Sequence, residues 1–259
     1  MSRISHHRTI PDFDSLPRPV YARPEQWDDQ GSQTSWHQHP WGQFSYAASG
    51  ILTVLTPDAR YVAPPQYAIW VPAGVEHQVV SKTATQMQSL YIEASALTQS
   101  RWRDAQVLDV SLLVRELIKQ FCQQEPLWQE SSSEKRLAQV LLDQIAQLPC
   151  ARTQLPLPSD RRLQALCQIL QNQPDSCATM VQLATQVGIS SRNVSRLFVQ
   201  QTGMNFRQWR QRLRLLYALD YLEQNQRVTD VALACGYDSL SAFVAAFREQ
   251  FGVTPGQYT

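Results

Sequence analysis

The feature that most constrains this 259-residue chain is a near-repetition within its last hundred or so residues. Leu183-Ala184-x-x-x-Gly188-Ile189 returns as Val231-Ala232-x-x-x-Gly236-Tyr237, 48 residues on. Phe198, Gly203, Phe206 and Trp209 return as Phe247, Gly252, Pro255 and Tyr258, 49 residues on, so one residue is added just after the turn glycine. Each copy reads as a short helix with a small Ala where helices cross closely, a glycine turn, and a second capped helix. That is the pattern of a helix-turn-helix. A single Ala-x-x-x-Gly is common by chance; two in register demand a helical domain built from a duplicated unit.

Charge supports a polyanionic partner for that domain. The net charge of +1 conceals an asymmetry: residues 1–159 hold 13 basic and 15 acidic side chains, residues 160–259 hold 10 Arg, no Lys and 7 acids. From Ser176 to Leu219 there is no Asp or Glu, while Arg192, Arg196, Arg207, Arg210, Arg212 and Arg214 all fall there. A basic, acid-free helical stretch is the footprint expected against phosphates.

Ser190 or Ser191 is expected to cap a helix running to about Thr202, with Val194, Leu197 and Phe198 buried. Its other face then carries Arg192, Asn193, Ser195, Arg196 and Val199; arginine can pair with both acceptors of a guanine, and serine with either base type. In the second copy Asp238 or Ser239 caps, Phe243 and Phe247 bury, and the matching positions are Ser241, Val244 and Ala245. With Arg248 available for phosphate, this helix offers few donors to base edges, so the two heads are expected to be unequal. A helix from about Asn205 to Glu223 joins them and spans roughly 28 Å, near the 34–36 Å or so of one DNA turn. Some of Arg207, Arg210, Arg212 and Arg214 should reach phosphates.

The first half has a different texture. Residues 1–30, rich in Pro, Asp and Arg, read as a loosely held arm. Residues 31–95 read as short strands: Ile51–Leu55, Tyr67–Val71 and Leu90–Ile92 are separated by turn signals at Pro57-Asp58, Pro64-Pro65 and Pro72-Ala73-Gly74. Residues 96–148 read as a helical connector or dimerisation region. One helix carries Val110, Leu113, Val114, Leu117, Ile118 and Phe121; a second starts within Ser131-Ser132-Ser133-Glu134 and carries Leu137, Val140, Leu141, Ile145 and Leu148. Prolines mark 149–158 as a linker to the helical residues 159–259. Hydrophobic content of 43% and charged content of 17% are ordinary for a soluble protein. There is no membrane-length apolar run, and Met1–Pro24 has no apolar core of a leader, so a cytoplasmic protein is expected. The five cysteines lack C-x-x-C spacing and read as reduced thiols, Cys235 as a packing residue.

These motifs resemble the AraC/XylS transcription regulators. The likeness covers about residues 160–258. It rests on Leu183-Ala184…Gly188-Ile189-Ser190, Leu197-Phe198, Gly203, Arg214…Ala218…Leu222, Val231-Ala232…Gly236-Tyr237, Phe243…Phe247 and the closing Phe251-Gly252-Val253-Thr254-Pro255-x-x-Tyr258. Residues His37-x-His39-x3-Gln43-x6-Gly50 and Pro72-x-Gly74-x2-His77 are similar to the cupin signature. The resemblance implies an α+β protein: an N-terminal cupin-like antiparallel β-barrel, a helical connector, and a C-terminal all-α domain with two helix-turn-helix motifs.

Cupins hold a divalent metal with His, Glu and His at these positions. Here Gln43 replaces the Glu, leaving His37, His39 and His77 with an amide oxygen, a set that suits a transition metal but does not require one. Without metal, the same residues become polar groups of an effector pocket, with Tyr46, Trp70 and Tyr91 as candidate apolar walls. The function implied is a ligand-responsive, sequence-specific DNA-binding regulator rather than an enzyme. Double-stranded DNA, a small-molecule effector and a second copy are its expected partners, and RNA polymerase is a further candidate. Two other classes compete. A metal-dependent cupin enzyme with an accessory helical domain is disfavoured by the missing carboxylate and the Arg-rich segment; in an architectural DNA binder the barrel would only dimerise.

Overall fold

The structure is a computed structural model that describes residues 6–8, 10, 14–28, 31–125, 127, 133–151 and 153–258. The chain forms two compact units, one of residues 1–57 and 61–154, the other of residues 155–259 with 58–60.

The strands in order are β1 (His6–Arg8), β2 (Val20–Trp27), β3 (Ser32–Thr34), β4 (Gly42–Ser49), β5 (Leu52–Leu55), β6 (Ala59–Ala63), β7 (Tyr67–Val71), β8 (Gln78–Ser81), β9 (Thr85–Ile92) and β10 (Gln106–Asp109). Helices α1 (Leu112–Cys122) and α2 (Ser133–Ile145) follow, then β11 (Cys150–Ala151) and β12 (Gln154–Pro156). They make two six-stranded sheets, ordered β1-β3-β8-β5-β6-β12 and β11-β10-β7-β4-β9-β2. The expected antiparallel barrel therefore needs correction: the strands divide between two sheets that do not close on each other, and β1 runs parallel to β3.

Strand β4 organises this unit. Its first six residues are all buried, so both of its faces are covered, as in strands packed between two layers. Alternation sends Gln43 and Ser45 to one face, Phe44 and Tyr46 to the other. Register extends each face: Gln43 lies opposite Tyr91, whereas Phe44 lies opposite Trp70 and Leu90. The Phe44 face, with Val20, Ala22, Tyr46, Ala68, Trp70, Ile92 and Leu108, forms one apolar core with the buried sides of α1 and α2. Helices α1 and α2 are thus a cover for this sheet, anchored by Val114, Ile118 and Phe121 and by Ala138, Leu141 and Ile145. Two residues of the expected stripes fall outside it, Leu113 at 56% and Val140 at 47% exposure. Of the expected capping serines, Ser131 and Ser132 lie outside the described residues.

The assumed arm is also corrected where it is described. Residues 20–27 form β2, paired antiparallel with β9 from Val20↔Ile92 to Trp27↔Thr85. Pro24 is compatible with this because β2 is an edge strand, the place where a missing N–H is tolerated. The remaining arm residues at 1–5, 9, 11–13 and 29–30 lie outside the described residues. Within the assumed linker, residues 150–151 and 154–156 are strands.

The second unit consists of α3 (Arg161–Asn172), α4 (Met180–Gln186), α5 (Ser191–Thr202), α6 (Phe206–Glu223), α7 (Val228–Ala234), α8 (Leu240–Phe251) and α9 (Pro255–Tyr258). The repeat is visible bond by bond. Gly188 N–H donates to Thr185 and Ile189 N–H to Ala184; 48 residues on, Gly236 donates to Leu233 and Tyr237 to Ala232. Ser190 and Ser239 cap α5 and α8 through their side chains. Phe198 meets Trp209 edge-on at 5.6 Å, and Phe247 meets Tyr258 at the same 5.6 Å. Helix α9 is the first turn of a second α6.

The copies differ at the turn glycines. Gly188 has φ +67° with open space where a Cβ would stand. Gly236 has φ +73°, and a Cβ there would come within 2.7 Å of Arg214 Nη2 and 3.2 Å of Asp175 Cα. Gly188→Ala should therefore cost only the left-handed backbone penalty, about 1–2 kcal/mol. Gly236→Ala should add the displacement of Arg214 and lower the thermal midpoint of the chain by at least twice as much. Circular dichroism melts of the two variants check this.

Candidate DNA-reading surface and sensor site

On α5 every expected reading residue is exposed: Arg192, Asn193, Ser195, Arg196 and Val199. Val194 and Phe198 hold the opposite face in the core. Arg196 Nη1 reaches Gln200 Oε1 at 3.3 Å, a single long bond, and Gln200 adds an exposed amide that sequence reasoning missed. On α8, Ser241 and Arg248 are exposed, Val244 is half-buried, and Glu249 brings an exposed acid beside Arg248.

The arginines of α6 separate into two classes. Arg207 is exposed and Arg212 half-buried. Arg210, expected at phosphate, is committed elsewhere: Nη1 donates to Ala178 O at 2.7 Å and Nη2 to Ser176 O. Burial, and next the neighbouring charge of Arg214, lower its pKa. Arg214 donates to Pro174 O (3.1 Å), Ser176 O (3.1 Å) and Gly236 O (2.9 Å). It ties the lead into the first head and the turn of the second to α6.

In the first unit, His37, His39 and His77 offer ligand atoms within 4.8 Å of one another. His37 and His77 also pair through their backbones, each N–H donating to the other's carbonyl. Each Nδ1 faces a main-chain carbonyl: Ser35 O at 2.9 Å, Trp41 O at 2.7 Å and Val75 O at 2.9 Å. Gln43 Oε1 lies 3.0 Å from His39 Nε2 and 3.3 Å from His77 Nε2, and Gln43 Nε2 lies 2.8 Å from Ser45 Oγ. Burial lowers the pKa of all three rings, that of His77 to about 3, so His77 is neutral at physiological pH.

Tyr91 closes this site from β9, its hydroxyl accepting from Arg23 at 2.8 Å. Trp41 stacks on His39 at 5.0 Å and 10°. Tyr46 and Trp70 do not join it. They lie on the helix-covered face of the same sheet, which corrects their assignment as walls of the histidine site. Trp41 and Ser45 were missed, although Ser45 could have been found by alternation from Gln43.

An AraC-like ligand binding domain matches residues 20–206, and a helix-turn-helix domain matches residues 183–259. The HTH-type transcriptional regulator NimR of Escherichia coli (strain K12) is 36% identical over 222 residues, 86% of this chain and 81% of that protein. The chain belongs to the AraC family. The HTH-type transcriptional regulator RipA of Corynebacterium glutamicum is 32% identical over 104 residues, 40% of this chain and 31% of that protein. A solved AraC-type DNA-binding regulator from Chromobacterium violaceum shares 28% identity over 39% of this chain and 90% of its own, with a TM-score of 0.37.

This AraC-family protein is a DNA-binding transcription regulator with a ligand-binding domain, and that domain's match begins at Val20, the first residue of β2. Its arginines give a direct check on their two classes. Arg214→Gln removes three charge-assisted bonds to main-chain carbonyls and should destabilise the protein by about 2 kcal/mol or more. Arg196→Ala, at an exposed position, should stay within about 0.5 kcal/mol of the parent. Denaturant unfolding followed by circular dichroism separates the two.

Proposed function

We propose that this regulator reads DNA chiefly through α5 and takes its effector at His37, His39, Gln43, His77 and Tyr91. The carrying observation is the contrast between the heads. Helix α5 presents Arg192, Asn193, Ser195 and Arg196 with no acid among them, where α8 presents Ser241, Val244 and Ala245. Arg192 and Arg196 can form paired bonds to guanine; Val244 and Ala245 can meet only apolar groups such as a thymine methyl. Arg207 and Arg248 are exposed and suited to phosphate, and Arg212 is a further phosphate candidate. Helix α6, at 18 residues, spans about 27 Å and sets the heads to address neighbouring major grooves. Residues 159–259 supply the DNA-binding domain. A homodimer is the working form, and exposed Leu112, Leu113 and Val140 are apolar surface that a second copy can cover. No described helix is long and apolar enough to cross a membrane; a cytoplasmic location follows from the DNA partner, and contact with RNA polymerase from the regulatory role.

Three imidazoles and an amide oxygen fit a divalent transition metal in number and placement, His37, His39 and His77 holding it beside Gln43. They fit it poorly in charge, since no carboxylate stands where the cupin signature has one, and Arg23 adds positive charge at His37 and His39. Proton counting is compatible with a metal-free pocket. A neutral imidazole has one N–H, already given to a carbonyl from Nδ1, so Nε2 of His39 and His77 can only accept. With the Gln43 amide turned, its two N–H groups serve the Nε2 atoms of His39 and His77 and its oxygen accepts from Ser45. His37 Nε2 and the Tyr91 hydroxyl hydrogen are then left for the effector, which should be a small polar molecule carrying both a donor and an acceptor.

A binding selection on randomised DNA should return one sharp half-site and a laxer one about a helical turn away. Arg196→Ala should cost roughly 1–3 kcal/mol and blur the sharp half only; two equally sharp halves, both surviving this variant, would overturn the reading. For the sensor, tag-free protein should retain less than about a tenth of an equivalent of transition metal, while Gln43→Glu, restoring the carboxylate, should raise cobalt binding toward about one equivalent. A stoichiometric metal in the parent protein would refute the metal-free pocket.

A further inference from the structure

Trp70 is a large aromatic that the histidine site does not use, and it lines a separate cavity of about 440 Å³ on the other face of the sheet. That volume is within the range of about 300–1,000 Å³ of small-molecule sites. Gly42, Pro72, Leu97, Trp102 and Arg103 line it as well. Trp70 and Trp102 stand nearly perpendicular, 5.2 Å apart, and Trp70 Nε1 donates to Trp102 O at 2.9 Å. Glycine at 42 is required by this arrangement, because a Cβ there would come within 2.0 Å of the Trp70 ring. The Trp102 side chain is buried, and its indole N–H has no hydrogen-bond partner. A buried donor without an acceptor is costly, and Arg103 stands exposed in the same wall.

We propose that this cavity is a second small-molecule site, distinct from the histidine pocket, and that it takes a small aromatic carboxylate. The rings of Trp70 and Trp102 with Leu97 and Pro72 cover an apolar body. Arg103 meets the carboxylate, for which a guanidinium is the natural partner. The site is placed to influence the histidines. Gly42 separates Trp41, stacked on His39, from Gln43. Ala73, also in the wall, precedes Gly74, whose N–H donates to His39 O at 2.9 Å.

Isothermal titration of the full chain with 2-naphthoate tests this. About one equivalent should bind. Arg103→Gln should raise Kd about tenfold, as expected for loss of one charge-assisted bond. Trp102→Phe, which takes away part of the apolar wall, should weaken binding several-fold, whereas His37→Ala in the histidine pocket should leave Kd within about twofold. Should Trp102→Phe fold poorly, Arg103→Gln at the exposed rim still decides. Fluorine NMR of 5-fluorotryptophan-labelled protein should also show ligand-dependent shifts at Trp70 and Trp102 and none at Trp209. The proposal fails if naphthoate does not bind at millimolar concentration, if Arg103→Gln binds as the parent does, or if His37→Ala abolishes binding.

Discussion

The DNA-binding half of this protein depends on one side chain giving its hydrogen bonds to the main chain. Arg214 satisfies carbonyls of Pro174, Ser176 and Gly236, groups lying at the entry to one head and the turn of the other. Arg210 reinforces the first of these at Ser176 and Ala178. These half-buried carbonyls of irregular segments have no helix to complete them, so a guanidinium with five donors in a fixed plane suits the task better than a lysine would. The spacing between α5 and α8 is thus fixed by charged hydrogen bonds as well as by apolar packing. Gly236 is part of the same device, since the guanidinium occupies the space a side chain would need.

In the sensor half, the corresponding constraint is the alternation along β4. A strand buried on both sides is a partition: Gln43 and Ser45 serve the polar histidine site, while Phe44 and Tyr46 belong to the core beneath α1 and α2. The two faces share one backbone, and a shift of β4 along its axis cannot be confined to either. A molecule bound at the histidines, as proposed, would therefore act on the strand whose other side supports the helices.

The duplicated heads were legible because their turns leave little choice: a left-handed residue after the first helix calls for glycine, and a small residue is needed where the helices cross. The histidine convergence was legible because its residues fall in a known register. The side of the sheet taken by Tyr46 was legible too, since it stands three residues from Gln43 and alternation puts it on the opposite face; that of Trp70 was not. Strand β7, Tyr-Ala-Ile-Trp-Val, has no polar/apolar alternation to reveal orientation, and only pairing partners settle it. Residues 20–27 were hidden by Pro24, a residue that argues against a strand unless the strand is known to lie at an edge. Arg207 and Arg210 look alike in sequence, since a guanidinium on a flexible stem reaches solvent or a carbonyl with equal ease. Only the tertiary position of Ser176 and Ala178 separates them.

An open sheet edge is a hazard for any chain held at high local concentration. Among the described residues β2 is such an edge, eight residues long. Pro24 near its middle has no N–H to offer a further strand, and Arg23 and Glu25 on either side are held together as an ion pair at 2.9 Å. Proline and charge are the means by which natural sheets resist growth by strand addition. The same residue that makes this segment look unlike a strand keeps the finished sheet from becoming a template for aggregation.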